Sequence, residues 1–303
     1  MIPKLFVPAV TVLHDDGKID IDGNIRLLDT LIGAGVEGVL VLGSTGEFPY
    51  FKDNEEKKAY LTQYIAAARG RAELLIGTGG IGVKETVELS NFALQLDVKG
   101  VMIISEFYFN MQPEDFYRYY AYLAERIHGD VYIYNYPART GNNIDADTVL
   151  RLALDFPNIK GIKDSVQDFA HTESLLKKVL PARPDFEIYS GFDNHFYQNV
   201  QLGGAGGISA LANVAPTMWL NWVKAAQTGD KAGLEAGQKR IQELFRLYSL
   251  QSNPQKLIKE ILVRQGLSIN TTCHLPFDDL DEEALETAMG ILGEDANWMH
   301  NAR

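Results

Sequence analysis

Asn158-Ile159-Lys160-Gly161-Ile162-Lys163-Asp164-Ser165 is a short apolar run that ends on a lysine. Strand alternation puts Ile159, Gly161 and Lys163 on one face, so if that face lines a barrel, Lys163 points inward at the end where barrels do chemistry. A free lysine with a pKa of about 10.4 is neutral in only about one molecule in a few thousand at pH 7. A nucleophilic lysine therefore needs desolvation, or neighbours that lower that value. A solvated lysine paired with Asp164 fits the same segment, and the residues alone leave both readings open.

A second segment, Tyr132-Ile133-Tyr134-Asn135-Tyr136-Pro137-Ala138-Arg139-Thr140-Gly141, puts Tyr132 and Tyr134 on one face and Arg139 in the loop that follows. Carbinolamine formation, its dehydration and the cleavage of an aldol each need a proton donor and acceptor, and a phenol held beside an ammonium can serve. An aromatic core residue with a hydrogen-bonded hydroxyl would look the same. A third segment, Gly43-Ser44-Thr45-Gly46-Glu47-Phe48, sets two hydroxyls between glycines. Such a turn exposes backbone N–H groups that can hold a carboxylate, or it is a hydroxyl-rich cap for a helix from Asn54.

Other chemistries find less support. Gly77-Thr78-Gly79-Gly80-Ile81-Gly82 matches G-x-G-x-x-G, with Glu106 after the next strand. It falls in the third strand–helix unit, and a tight strand-to-helix turn explains its glycines as well as a dinucleotide does. The six histidines, His14, His128, His171, His195, His274 and His300, form no pair at helical ligand spacing, so no metal is expected. The glycines from Gly203 to Gly207 lie where barrels often bind phosphate, without a nearby Lys or Arg.

Composition narrows the class. A formal charge of −12 disfavours nucleic acid as a partner and leaves a small molecule as the expected one. No run approaches the roughly 18 apolar residues of a membrane span. The segment Met1 to Val10, broken by Pro3 and Pro8, reads as a strand rather than a secretory leader. The lone Cys273 rules out an internal disulfide framework and agrees with a cytoplasmic location.

The elements that must position these residues repeat. Apolar runs at Leu5 to Val10, Gly38 to Leu42, Glu73 to Gly77, Gly100 to Ile104, Val131 to Asn135, Ile159 to Lys163, Phe186 to Ser190 and Gly206 to Ala210 give eight candidate strands. Amphipathic segments such as Asn54 to Arg69, Lys84 to Gln95, Glu114 to Ile127, Asp145 to Leu154 and Phe169 to Val179 fill the gaps. Eight strand–helix units most simply close into an α/β fold of the (β/α)₈ TIM-barrel type, with an open doubly wound sheet as the alternative. The barrel is expected to span residues 1–228. Residues 229–303 are expected to pack on it as C-terminal helices of the same domain, with Pro254 in a first helical turn.

Taken together, GSTGEF from Gly43, YNYPARTG from Tyr134, GIKDS from Gly161, SGFDN from Ser190 and GGISALANVAP from Gly206 resemble the N-acetylneuraminate lyase and dihydrodipicolinate synthase family over nearly the whole chain. The resemblance implies a class I lyase in which Lys163 forms an imine with pyruvate and Tyr134 shuttles protons. It implies that Ser44, counted also among the catalytic groups, and Thr45 hold the pyruvate carboxylate, and that Ile208 offers a backbone carbonyl near the imine. It implies no metal or organic cofactor, and a homotetramer or homodimer.

Within the family the motifs divide. Asp193 in SGFDN resembles the segment with which sugar-acid lyases meet substrate hydroxyls. The stretch Gly77 to Ser90, the IKDS…AH pattern ending at His171 and the IKE around Lys259 are similar to 2-keto-3-deoxygluconate aldolases. Arg139 resembles the synthase residue that binds the second substrate's carboxylate, and GSTGEFP is similar to 4-hydroxy-2-oxoglutarate aldolases. Phe109 stands where synthases usually present a tyrosine across the dimer. The expected activity is reversible cleavage of a 2-keto-3-deoxy sugar acid to pyruvate and an aldehyde. A dihydrodipicolinate synthase condensing pyruvate with aspartate semialdehyde is the alternative, and a non-catalytic sugar-acid binding protein the further one.

Overall fold

Eight strands follow one another around a closed parallel sheet in a computed structural model of the chain, which describes residues 2–51 and 53–301, the side chains of 300 and 301 excepted. They are β1 (Lys4–Pro8), β2 (Gly38–Val41), β3 (Glu73–Gly77), β4 (Gly100–Ile104), β5 (Val131–Asn135), β6 (Ile159–Asp164), β7 (Glu187–Ser190) and β8 (Gly206–Ile208). Each strand neighbours the next in sequence and β8 closes on β1, the (β/α)₈ barrel expected from the repeat.

Six of the helices begin where the sequence supplies an acceptor. The side chains of Asp20, Asp53, Asp145, Asp168, Asp230 and Asp281 each accept a hydrogen bond from a first-turn N–H, which the helix itself leaves unsatisfied. Strand ends shift by a residue or two from the apolar runs. β8 stops at Ile208 because Ala210–Asn213 turns at once into a short helical segment. β6 extends to Asp164, which pairs with Asn135 on one side and Ser190 on the other. Pro254 sits at the N-cap, just before the helix Gln255–Arg264 rather than inside its first turn.

The contacts within the chain fall into two units. One comprises Leu74–Ile208 with the first few residues, and the other Leu5–Glu73 with the chain from Ser209 onward. In the first unit, Tyr132 lies opposite Gly161 and Gly161 opposite Glu187. Tyr132 Oη donates to Glu187 Oε2 at 2.7 Å, Tyr189 Oη reaches the same oxygen at 3.1 Å, and Lys99 Nζ pairs with Oε1 at 3.0 Å. Gly161 makes this polar layer possible, since a Cβ there would lie 2.3 Å from the Glu187 carbonyl oxygen and 3.0 Å from the Tyr132 ring. In the second unit β1 and β2 run parallel, with Val7 opposite Val39. There Trp222, on the helix Pro216–Thr228, donates from Nε1 to the Leu234 carbonyl at 2.9 Å and tethers the helix Lys231–Leu244.

Gly161→Ala is expected to destabilise the protein by about 1–3 kcal/mol, the usual cost of overpacking, read as a lower midpoint in thermal unfolding. An unchanged midpoint would mean that the strands around Gly161 yield without strain.

Candidate active site

Strand register brings the two principal candidates side by side. Tyr134 on β5 is the direct partner of Lys163 on β6, and Tyr189 on β7 flanks the lysine from the other side. Lys163 is only 5 % exposed, and its Nζ lies 4.4 Å from the centre of the Tyr134 ring. The reading of a solvated lysine is thereby set aside. Burial brings the Lys163 amine down from its ordinary value to about 8, while the neighbouring Tyr136 phenol and Asp193 carboxylate act in the opposite direction. At pH 7 an amine of that acidity is neutral in about one molecule in ten, against about one in three thousand for a free lysine.

Asp193 is buried in the short turn Asp193–His195 that follows β7, near enough for its charge to act on Lys163. Tyr136 stacks on Tyr134, with ring centres 5.8 Å apart. It escaped the sequence reading because YNYP was read for Tyr134 and Arg139, although its place two residues past an inward tyrosine was a usable signal. Arg139 lies at the exposed edge of this group. It is exposed in the helical turn Pro137–Thr140, with its guanidinium carbon 6.0 Å from the Tyr136 ring centre. Ile208 is the buried last residue of β8.

Behind the lysine the next residue faces the opposite way. Asp164 is completely buried and accepts from Asn135 Nδ2 at 2.8 Å, Thr172 Oγ1 at 2.6 Å and His171 Nδ1 at 3.0 Å. The other ring nitrogen of His171 lies 2.9 Å from the Ile144 carbonyl oxygen. Both neighbours of the imidazole are acceptors, so satisfying them requires a proton on each nitrogen, which makes the ring a cation. Burial works against that charge, but the hydrogen bond and charge of Asp164 outweigh it and raise the His171 pKa above its ordinary value. Helix Phe169–Val179, β6, β5 and the loop at Ile144 are thus tied together on the far side of the Lys163 backbone.

In the second unit, Ser44 and Thr45 occupy a tight turn after β2. Gly46 N–H donates to the Gly43 carbonyl at 3.0 Å and Glu47 N–H to the Ser44 carbonyl at 3.2 Å. A Cβ on Gly46 would meet Thr11 Oγ1 at 2.9 Å, and that hydroxyl donates to the Gly46 carbonyl at 2.7 Å. The turn is not the cap of the following helix, because Asp53 does that work for Asn54–Ala68. Buried Glu47 and Lys259, with the half-buried His274, form a cluster against this turn that the sequence reading missed. A lysine between Leu257, Ile258, Ile261 and Leu262, all buried, was the available sign.

The glycine-rich segment after β3 has a packing explanation. A Cβ on Gly79 would lie 2.9 Å from the Ile104 backbone nitrogen, so the close approach that requires glycine is to β4.

Comparison with known proteins finds relatives over nearly the whole chain. The model of the dihydrodipicolinate synthetase family matches residues 1–294. YagE of Escherichia coli (strain K12), provisionally named a 2-dehydro-3-deoxy-D-gluconate aldolase, is 36% identical, covering 91% of each chain. YjhH of the same organism, provisionally a 2-dehydro-3-deoxy-D-pentonate aldolase, is 33% identical over 94% of this chain and 96% of its own. A 4-hydroxy-tetrahydrodipicolinate synthase from Moorella thermoacetica is 35% identical over 96% of this chain and 97% of its own. The crystal structure of YagE in complex with pyruvate superposes with a TM-score of 0.92 at 34% identity, covering 97% of this chain and 99% of that one.

The charged His171 carries a pH signature. Its folded pKa lies above the ordinary 6.5, so the stability it adds is complete below that value and is lost as pH rises through the folded pKa. In urea unfolding, the stability gap between the wild type and His171→Gln should be widest below the ordinary 6.5 and narrow as pH rises above it through the folded value. A gap independent of pH would show that the ring is neutral throughout.

Proposed function

The chain belongs to the dihydrodipicolinate synthetase family, whose members are pyruvate-dependent class I aldolases and lyases, and from that premise we propose that it cleaves 2-keto-3-deoxy sugar acids reversibly to pyruvate and an aldehyde. The observation that carries the reading is Lys163, buried in register with Tyr134 and with its amine brought down to about 8.

In this reading the neutral Lys163 amine attacks the C2 carbonyl of the keto acid, and loss of water from the carbinolamine leaves a protonated imine. Tyr134 passes the protons that these steps require. It then takes the proton of the C4 hydroxyl while the C3–C4 bond breaks, the electron pair flowing into the imine to give an enamine and releasing the aldehyde. Protonation of the enamine at C3 and hydrolysis return pyruvate and the free lysine. The imine is itself the electron sink, so the chemistry calls for neither a metal nor an organic cofactor. We assign the keto acid's carboxylate to the hydroxyl and backbone N–H groups of Ser44 and Thr45, a backbone carbonyl near the imine to Ile208, and the hydroxyls of the departing aldehyde to Asp193. The barrel through residue 228 and the helices from 229 onward are read as one catalytic chain.

Condensation of pyruvate with aspartate semialdehyde is the second reading, favoured by Arg139 at the rim and by the Moorella thermoacetica relative. Phe109 speaks against it, since a phenyl ring cannot relay a proton. Phe109 and Tyr108 are 70% and 80% exposed on the loop after β4, an apolar surface of the kind a second copy covers in a homodimer or homotetramer.

Incubation with pyruvate and borohydride should add the mass of a reduced pyruvyl group, mapped to Lys163, and Lys163→Arg should abolish it. A folded wild type that gains no adduct would overturn the imine mechanism and reopen the reading of a non-catalytic binding protein. The rate of trapping should rise with pH through about 8, as the neutral amine accumulates. Tyr134→Phe is expected to lower turnover by roughly 10²–10⁴-fold, the usual worth of a positioned acid–base group, measured as pyruvate release from a panel of sugar acids. No release from any of them, alongside brisk synthase activity, would reverse the ranking.

A further inference from the structure

We propose that the buried Glu47–Lys259 ion pair, with Gln255 and His274, forms a positioning device that aims the Ser44–Thr45 turn at the keto acid's carboxylate. The inference rests on the assignment of that carboxylate to Ser44 and Thr45.

The turn is gripped from several directions. Lys259 has no solvent-exposed surface, and its Nζ donates to Glu47 Oε1 and to the Thr272 carbonyl, both at 2.7 Å. Glu47 Oε2 accepts from the His274 backbone N–H at 2.9 Å and lies 3.0 Å from His274 Nδ1. The His274 ring is in turn clamped, stacked on Tyr50 at 4.9 Å and edge-on to Phe51 at 5.1 Å. Gln255 Nε2 donates to the Ser44 carbonyl at 3.0 Å. Thus a residue on either side of Thr45 is held through a polar group by the C-terminal part of the chain.

Two physical points favour aim over bulk stability. A buried ion pair is a poor stabiliser, because apolar residues of the same volume commonly do as well, whereas a carboxylate held on both oxygens has only one orientation. Glu47 also adopts a left-handed backbone, φ 57°, which a side chain with a Cβ disfavours and which persists only where surrounding contacts impose it. The strain therefore sits two residues from Thr45, at the point where the network takes hold. A lysine and a glutamate contributed from opposite ends of the chain make the turn's geometry depend on the helix Gln255–Arg264.

The test uses the adduct on Lys163 as its readout, trapped with borohydride from either pyruvate or methyl pyruvate, which has the same reactive ketone and no carboxylate charge. Gln255→Ala, and the paired substitution Glu47→Gln with Lys259→Met, should raise the pyruvate concentration for half-maximal trapping by roughly tenfold, the scale of about 1.4 kcal/mol. They should leave trapping from the ester unchanged. Equal losses with both compounds, or none with either, would overturn the proposal. Ser44→Ala separates the two levels of the argument. If it leaves the preference for pyruvate over the ester intact, the carboxylate assignment itself fails. If it erases that preference while Gln255→Ala and the paired variant keep it, the positioning role alone fails. Should the paired variant not fold, Gln255→Ala carries the decision, since it removes no buried charge.

Discussion

Removal of water from the Lys163 amine is the constraint around which the site is organised. A lysine in water holds its proton too tightly to attack a ketone, and burial shifts that balance by penalising the charged form. The surroundings do not push without limit. Asp193 and Tyr136 pull the value back up, leaving an amine that is a nucleophile in part of the population and an acid in the rest. Imine chemistry needs both forms within one cycle, so a value close to neutrality serves it better than complete deprotonation.

Strand alternation turns that constraint into a two-sided design. Lys163 faces one way and Asp164 the other, and each is buried. The carboxylate is not left to compensate the lysine, because Asn135, Thr172 and a charged His171 surround it on the helix side. The same bonds bind β5 to β6 at the positions next to Tyr134 and Lys163. The two strands are thereby tied together at the level of Tyr134 and Lys163 from the side opposite the lysine.

How much of this was legible in the linear chain follows from the range of the interactions. The inward placement of Lys163 and Tyr134 follows from alternation along two short strands, a local property, and so does the eightfold repeat that closes the barrel. The partnership of Glu47 with Lys259 spans 212 positions, and nothing in either neighbourhood names the other. His171 was visible as part of a pattern, yet its charge depends on the Ile144 carbonyl arriving from a different loop. Pro254 and the ends of β1 and β8 were displaced by a residue or two because hydrogen bonds, rather than apolar content, decide where an element stops. The glycines after β3 matched a nucleotide-binding pattern for a reason invisible in sequence, the approach of Gly79 to the β4 backbone.

The aspartates that open the helices have a bearing on the evolution of the site. In many α/β proteins the positive end of a helix is a standing attraction for any anion, and phosphate sites arise there readily. Here the helices Ala146–Asp155 and Phe169–Val179 direct those N–H groups to Asp145 and Asp168. At these two helix ends, and with a net charge of −12, that lowers the general attraction for negative molecules, so recognition of an acid falls to a few dedicated donors. Preferences confined to so few groups can be rewritten by one or two substitutions. A scaffold of this kind can acquire a new acidic substrate without first having to lose a strong hold on an old one.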